Sequence, residues 1–218
     1  MTSPYSCVLW DLDGTIVDSA AGILASLRHT YRALGRAVPD DTELMLWVGP
    51  PIMDSFRDLA GLDPEESARA LAVYREHYIT RGARHSPVFP GMPRVLWTVH
   101  DAGMPTSLAT SKPETSARII LERDGLVDAI DVLTGASADE TRSAKKDVVA
   151  EALRRLAAAG VDVSSPVLVG DRIHDVEGAA ANGVPTISVT WGYGDDEEHA
   201  EAIAVAREPG ELIPLLLG

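Results

Sequence analysis

The sequence predicts an α/β fold in which helices cover both faces of a parallel sheet and an all-helical segment is inserted after the first strand. Two observations lead to this prediction. Through most of the chain, short apolar β-type runs alternate with amphipathic helical patterns. One stretch, from residue 19 to about residue 81, breaks the alternation because it contains helical patterns only.

The predicted core strands are short apolar runs at 6–10, 105–109, 131–133, 167–169 and 186–189. Helical patterns lie between them at 93–100, 114–123 and 145–159, and each is followed closely by a glycine. In the last of these patterns, apolar residues from Val148 to Leu156 recur at helical spacing and form one face. In a parallel sheet of this kind, the binding crevice lies at the carboxyl ends of the strands.

The inserted segment contains three helical patterns. The first two cover 23–34 and 52–59, and each is followed by a glycine. Asp63 followed by Pro64 is typical of the N-cap and first turn of the third. We therefore expect a core domain formed by residues 1–17 and 84–218, and a helical cap domain formed by residues 18–83.

Composition and charge narrow the possible partners. The formal net charge of −14 argues against a nucleic-acid or membrane-surface binder, because both partners are polyanions. The single cysteine, Cys7, lies in an apolar run and has no internal disulfide partner, which indicates a buried thiol in a reducing compartment. The N-terminus lacks a signal-peptide pattern and no apolar run approaches a membrane span, so we expect a cytoplasmic protein.

Two carboxylates, Asp11 and Asp13, follow the first predicted strand and precede Gly14. An isolated pair of this kind is typical of an acidic turn, but this pair emerges from a buried strand, where unpaired charge is costly. Mg²⁺ would remove that cost because it prefers oxygen ligands. Asp11 is then placed to attack phosphorus, and Asp13 to act as acid and base for the leaving group and for water.

A second acidic cluster, from Gly170 to Asp175, follows the apolar run at 167–169. Asp171 and Asp175 are candidates to complete the magnesium site, and Asp171 is the better candidate for direct coordination. The alternative role for Asp175 is the N-cap of a helix that begins near Val176. The two roles are compatible, so both stay open for Asp175.

Hydroxyl and lysine side chains supply the remaining parts of the candidate site. Thr110 and Ser111 follow a strand and can donate hydrogen bonds to a phosphoryl oxygen, although such residues alone are typical of helix caps. Lys145 or Lys146, at the start of a helix, could neutralise a phosphoryl oxygen; the alternative is a solvated surface lysine. Four strand-end features that each supply a different part of phosphoryl transfer form a stronger signal than any one of them.

Two glycines are candidates for contact with the substrate. Gly14 directly follows the first acidic pair, on the predicted hinge side of the cap. Gly49, followed by Pro50 and Pro51, could present backbone groups to the substrate. The alternative for residues 49–51 is a plain stop between two cap helices.

These features resemble the four motifs of the haloacid dehalogenase superfamily, in the subgroup with a helical cap inserted after the first motif. The motifs occur in the family's order as residues 11–15, Thr110, Lys145 and residues 170–175, and the resemblance covers essentially the whole chain. Lys145 is preferred to Lys146 because the family's motif lysine stands two residues before an acid. The resemblance implies a Rossmann-like core and Mg²⁺ as the cofactor.

The resemblance also implies a role for each motif residue. Asp11 is the implied nucleophile and Asp13 the implied acid and base, while Thr110 and Lys145 hold the phosphoryl group. The implied metal ligands are the Asp11 side chain, the Asp13 carbonyl and Asp171. An acid at position 13 argues against the dehalogenases that name the superfamily, since these lack it.

Residues 48–51 and 189–194 resemble the phosphoglycolate-phosphatase and nucleotidase-like branch, which implies hydrolysis of a small phosphorylated metabolite. The alternatives within the superfamily are a sugar phosphomutase and an inorganic pyrophosphatase. A phosphate-accepting signalling domain is an alternative from another class, but such a domain needs neither Asp13 nor a cap. A non-catalytic binding domain would be expected to lose a motif residue, and none is lost here. The sequence leaves a monomer and a homodimer equally open.

Overall fold

The computed structural model describes residues 3–218 and has a parallel sheet at its centre. Its strands are β1 (Cys7–Trp10), β2 (Thr106–Leu108), β3 (Thr110–Pro113), β4 (Gly135–Ala136), β5 (Pro166–Gly170), β6 (Thr186–Val189) and β7 (Ala204–Ala206). Five of them form one sheet in the order β2-β1-β5-β6-β7, and every neighbouring pair is parallel. β3 and β4 form a separate two-stranded parallel ladder. The predicted parallel α/β fold is confirmed.

Helices occupy most of the remaining chain. Their bounds are α1 (Ala20–Ala33), α2 (Asp41–Met45), α3 (Ile52–Asp58), α4 (Pro64–Thr80), α5 (Met92–Asp101), α6 (Glu114–Arg123), α7 (Lys145–Ala158), α8 (Ile173–Ala180) and α9 (Leu212–Leu217). Shorter 3₁₀ helices cover Gly82–His85, Val127–Ala129 and Pro209–Glu211. Within residues 3–218, no helix combines the length and apolar character needed to cross a membrane.

The two faces of the sheet are covered by different helices. Because side chains alternate along a strand, Val8 and Trp10 of β1 pack in one apolar cluster with α5 and α9. Cys7 and Leu9 pack in a second cluster with α7 and α8. Since β1 lies between β2 and β5 and is covered on both faces, all four side chains are inaccessible to solvent.

Four of the five predicted core strands correspond to β1, β2, β5 and β6. The predicted run at 131–133 makes only an isolated bridge between Val132 and Ser107, and the next regular strand begins at Gly135. β7 was not predicted, because it is only three residues long and its central residue is exposed.

The helices α1 to α4 lie between β1 and α5, in the segment predicted to be all helical. Asp63 accepts a hydrogen bond from the Glu66 backbone N–H and forms a capping box at the start of α4. The short helix α2 was not predicted, although Asp40 and Glu43 form the same kind of capping box. The division into a core of 1–17 and 84–218 and a cap of 18–83 stays a prediction; we call residues 18–83 the helical insertion.

The helical insertion leaves and rejoins the core through two adjacent segments. Val17 forms an antiparallel bridge with Val88, and the Asp18 backbone N–H donates to the Pro87 carbonyl at 2.8 Å. Phe89 N–H likewise donates to the Ile16 carbonyl. The two connections therefore lie side by side, next to the carboxyl end of β1.

Candidate active site

Asp11 lies directly after β1 and is held there by neighbouring strands. Its backbone N–H donates to the Val169 carbonyl at 2.9 Å, which continues the ladder between β1 and β5. Its side chain meets Lys145, the first residue of α7, whose Nζ lies 2.7 Å from Asp11 Oδ1. The same ammonium donates to the Ala109 carbonyl at 3.1 Å. Three core segments therefore converge on Asp11.

Lys145, rather than Lys146, faces the site. Burial by itself lowers the pKa of Lys145, but the paired carboxylates of Asp11 and Asp175 raise it above its usual value. Lys146 is exposed to solvent, and its backbone carbonyl accepts a hydrogen bond from Asn182. Lys145 therefore carries a stable positive charge beside the candidate nucleophile.

Asp171 and Asp175 join Asp11 in a buried acidic cluster, and one carboxylate oxygen from each lies within 4.8 Å of the others. Burial, with smaller contributions from the neighbouring Asp175 and Asp13, raises the pKa of Asp11 to about 7 against the opposing effect of Lys145. Burial and the neighbouring acids also raise the pKa of Asp171 well above its usual range. These carboxylates are charged at neutral pH only at a free-energy cost.

This cluster fits a divalent cation. The ligand set is made of hard carboxylate oxygens, which suit Mg²⁺. Three buried acids beside one ammonium leave excess negative charge, and a cation among them would remove the repulsion that raises the pKa values of Asp11 and Asp171. Asp11, Asp171 and Asp175 can therefore hold a metal ion.

Asp175 also organises the turn before α8. Its Oδ2 accepts hydrogen bonds from the backbone N–H groups of Asp171 and Arg172, at 3.1 and 3.0 Å. Its Oδ1 lies 2.6 Å from Lys145 Nζ. α8 begins at Ile173 rather than near Val176, so Asp175 is the third residue of the helix and not its N-cap. The structure thus combines a capping interaction with a contact in the acidic cluster.

Asp13 is held apart from the acidic cluster by a different lysine. Lys112 Nζ, from β3, lies 3.0 Å from Asp13 Oδ2 and donates to the Tyr78 hydroxyl at 2.8 Å. Asp13 Oδ1 is buried and has no hydrogen-bond partner among the described residues. The side chain of Asp13 thus faces Lys112. Its role as a metal ligand through the backbone carbonyl remains a prediction.

Thr110 and Ser111 line the same cavity as Asp11 and Asp13. The Thr110 hydroxyl accepts a hydrogen bond from the Lys112 backbone N–H at 3.2 Å, which leaves its own proton available for a ligand. The two residues belong to β3, and α6 begins only at Glu114. The alternative role of Thr110 as a helix cap is therefore wrong, because Thr110 lies in a short strand and the helix begins at the predicted Glu114.

The helical insertion forms the opposite wall of this cavity, whose volume is about 60 Å³. Its lining includes Trp47, Gly49, Ile52, Tyr74, Arg75 and Tyr78. Arg75 also bridges to the core, because its guanidinium donates to the Ala138 carbonyl at 2.9 Å and forms an ion pair with Glu140. The insertion therefore lies close over the site, and little space remains between it and Asp11.

The two glycines predicted to contact substrate have different surroundings. Gly49 lines the cavity and adopts a φ of 115°, which favours glycine. Gly14 has its N–H already bonded to the Val17 carbonyl, and a Cβ atom there would lie 2.2 Å from Asp171 Oδ2. The observed role of Gly14 is therefore close packing against Asp171.

Several residues at the site carry no role in the sequence analysis. Tyr193 donates its backbone N–H to Asp171 Oδ2 at 2.8 Å, and Thr15 donates its hydroxyl to Asp171 Oδ1 at 3.1 Å. Lys112 was also missed, although it stands two residues after Thr110. In a strand that spacing places both side chains on one face, which is a signal that could have identified Lys112.

Comparison with known proteins agrees with this geometry. The family model for haloacid dehalogenase-like hydrolases matches residues 8–189. The solved structure of a predicted phosphatase from Clostridium acetobutylicum has a TM-score of 0.89 to this chain at 33% sequence identity, over 96% of this chain and 97% of that one.

Three curated relatives are similar over most of this chain. The tyrosine-protein kinase PtkA of Mycobacterium tuberculosis is 42% identical over 86% of the chain, but the match spans only 62% of that relative's length. The 5'-nucleotidase of Pseudomonas aeruginosa is 32% identical over 89% of this chain and 86% of its own. The phosphoglycolate phosphatase of Agrobacterium fabrum is 32% identical over 86% of this chain and 81% of its own.

The predicted family is confirmed, and proteins named as a 5'-nucleotidase and a phosphoglycolate phosphatase are among the relatives of this chain. The family match is consistent with the parallel sheet and with the acidic cluster at its strand ends, which the resemblance implied. This chain belongs to the haloacid dehalogenase-like hydrolase family.

Proposed function

We propose that this chain is a Mg²⁺-dependent phosphatase that hydrolyses a small phosphomonoester through an aspartyl phosphate on Asp11. The observation that carries the proposal is the separation of two carboxylates in one cavity. Asp11 is paired with Lys145 beside the acidic cluster, whereas Asp13 is paired with Lys112 on the other side. Two carboxylates in different surroundings suit two different roles.

In the first step, an Asp11 carboxylate oxygen attacks phosphorus and the bond to the leaving oxygen breaks. Asp13, after a proton has bound to its unpaired Oδ1, gives that proton to the leaving oxygen, and an alcohol leaves. Lys145 offsets the negative charge of the transferring group, and the Thr110 hydroxyl donates a hydrogen bond to one of its oxygens. The product of this step is a mixed anhydride between Asp11 and phosphate.

In the second step, water attacks phosphorus and the Asp11–phosphate bond breaks. Asp13, now a carboxylate, takes the proton from water, so the acid that started the cycle is restored together with the Asp11 carboxylate. Inorganic phosphate leaves. Mg²⁺ would be held by the carboxylates of Asp11, Asp171 and Asp175 with the Asp13 carbonyl, and would stabilise negative charge on the phosphoryl oxygens.

The helical insertion acts in this proposal as a cap that excludes bulk water from Asp11. Its aromatic wall, with Trp47, Tyr74 and Tyr78, and the small cavity beneath it support a compact leaving group. The proposed substrate class is thus a small phosphorylated metabolite, of the kind that the relatives named phosphoglycolate phosphatase act on. Ser111 and Gly49 line this cavity and are candidates for contacts with the leaving group.

A second candidate function is transfer of the phosphoryl group from Asp11 to a tyrosine hydroxyl of a protein. It is favoured by the 42% identity to a relative named a tyrosine-protein kinase. With ATP as the donor, ADP leaves in the first half in place of the alcohol; in the second half a tyrosine oxygen attacks phosphorus in place of water, and Asp13 takes its proton. Labelled ATP and a tyrosine-containing peptide test it: label on the peptide supports transfer, and label found only as phosphate supports hydrolysis.

The deciding experiment for the hydrolase is phosphate release from p-nitrophenyl phosphate and from a panel of small phosphomonoesters. We expect activity that requires Mg²⁺, that EDTA removes, and that Asp11→Asn lowers by about a thousandfold or more, since the nucleophile is lost. Lys146→Met is the matched control and should keep full activity. Retention of most activity by Asp11→Asn would overturn the proposed mechanism.

A further inference from the structure

Asp13 is positioned by a single ion pair. Its carboxylate is 12% exposed, and the pair between its Oδ2 and Lys112 Nζ, at 3.0 Å, leaves Oδ1 without a partner among the described residues. With Oδ2 held by Lys112, Oδ1 is available to a group that enters the cavity. The direction in which Asp13 presents Oδ1 therefore depends on Lys112.

Lys112 itself depends on the helical insertion. Its side chain is 5% exposed, and its ammonium donates to the Tyr78 hydroxyl at 2.8 Å. The ammonium also lies 4.2 Å from the centroid of the Tyr78 ring. Loss of Tyr78 would leave Lys112 with Asp13 as its main partner. Because a buried ammonium is costly unless it is fully paired, that loss would destabilise the buried position of Lys112.

The contact between Lys112 and Tyr78 depends on the position of α4, because Tyr78 belongs to that helix. Tyr78 is buried, and its ring stacks on that of Tyr74, one turn earlier in the same helix, with centroids 5.7 Å apart. Asp13 and Lys112 belong to core segments, whereas Tyr78 belongs to the helical insertion. The three side chains thus join the insertion to the candidate acid and base through two direct contacts.

We propose that Lys112 and Tyr78 are positioning residues that orient Asp13 only when α4 is packed against the site. This inference rests on the proposed function, because it assigns Asp13 the proton transfer described above. Lys112 is separate from the pair between Lys145 and Asp11, so it assists departure of the leaving group rather than attack on phosphorus. Displacement of α4 removes the Tyr78 contact of Lys112, so the ammonium that binds Asp13 Oδ2 is no longer fixed in position.

The test is the dependence of the rate on the leaving group. p-Nitrophenolate leaves without a proton, whereas an alkoxide needs one, so loss of a correctly oriented acid penalises alkyl phosphates selectively. For Lys112→Met we expect kcat/KM to fall about a hundredfold or more with an alkyl phosphate and less than about tenfold with p-nitrophenyl phosphate. For Tyr78→Phe, which keeps the ring, we expect a several-fold effect in the same direction.

Lys112→Arg, which keeps the charge, should recover part of the loss, and Lys146→Met should behave as wild type. An equal loss with both esters in Lys112→Met and Tyr78→Phe would overturn the inference. Such a result, together with an inactive Asp11→Asn, would leave the proposed phosphatase intact. An active Asp11→Asn would instead count against the proposed function.

Hydrogen exchange supplies a readout that does not need turnover. Because Lys112 bonds to Tyr78, Lys112→Met should raise the exchange rates of α4 amides, whereas Lys146→Met should not. Unchanged α4 exchange in Lys112→Met would overturn the coupling between the insertion and Asp13. Tyr78→Phe provides the same comparison if Lys112→Met does not fold.

Discussion

The ammonium of Lys145 lies 2.7 Å from Oδ1 of Asp11, and both side chains are almost fully buried. The pair joins the first residue of α7 to the end of β1, over a separation of 134 residues in sequence. Because the same ammonium also contacts Asp175, one cation is shared among the acids of the cluster. Stability and activity should therefore both respond to changes in this group.

Lys145→Met tests that shared charge. Removing one partner of a buried ion pair costs about 3–5 kcal/mol, and here two carboxylates lose their cation. We expect a lower thermal midpoint in EDTA, a partial recovery in Mg²⁺, and loss of nearly all phosphatase activity. Lys146→Met is the control and should leave both properties unchanged. Equal midpoints for wild type and Lys145→Met in EDTA would contradict the proposed dependence.

Asp171→Asn tests the metal site. The amide can accept from the Tyr193 N–H through its oxygen and donate to the Thr15 hydroxyl through its nitrogen, so local hydrogen bonding is conserved. Because one charge leaves a repulsive cluster, the midpoint in EDTA should be at least as high as that of wild type. Wild type should gain stability with Mg²⁺ by mass action, and the variant should gain much less. A full Mg²⁺ response in Asp171→Asn would remove Asp171 from the metal site.

Gly14→Ala tests the close packing beneath Asp171. Gly14 has a φ of 84°, and a Cβ atom would lie 2.2 Å from Asp171 Oδ2. Gly103→Ala is the matched control, since Gly103 has a φ of 74° and open space around it. The left-handed backbone costs about 1–2 kcal/mol in either variant. Only Gly14→Ala should also lose activity, and similar activity in the two variants would show that the contact with Asp171 is unimportant.

His77 gives the helical insertion a pH dependence. Burial, together with the neighbouring His29 and Arg81, lowers the pKa of His77, whose ring stacks on that of His29 at 4.5 Å. In the unfolded chain His77 binds a proton near its ordinary pKa of about 6.5, before it does so in the folded state. The free energy of unfolding should therefore decrease as the pH falls through that value.

The measurement is the thermal midpoint of wild type and His77→Gln at pH 8 and pH 5.5. The variant should lose less stability than wild type on acidification, because its glutamine does not titrate. His85→Gln, at an exposed position, should follow wild type. Parallel pH profiles for wild type and His77→Gln would show that His77 makes no contribution.

Much of the fold could be predicted because its signals are local. The helix α6 covers the predicted residues 114–123, and β6 covers the predicted 186–189. Both helix signals, the helical spacing of apolar residues and the glycine after the last turn, lie within a few neighbouring residues and can be read from the sequence. β7 and α2 were not predicted because they are only three and five residues long, too short for an apolar period to show.

The sequence by itself determined that Asp11 and Asp171 follow strands and that Lys145 begins a helix, and parallel strands bring their carboxyl ends to one edge. It did not determine which side chain faces which. Lys112 pairs with Asp13, which lies 99 positions earlier in the chain, and with Tyr78, which lies 34 positions earlier. Only the tertiary structure decided these pairings, because they depend on how the helical insertion packs over the sheet, and packing between distant segments leaves no periodic pattern in the chain.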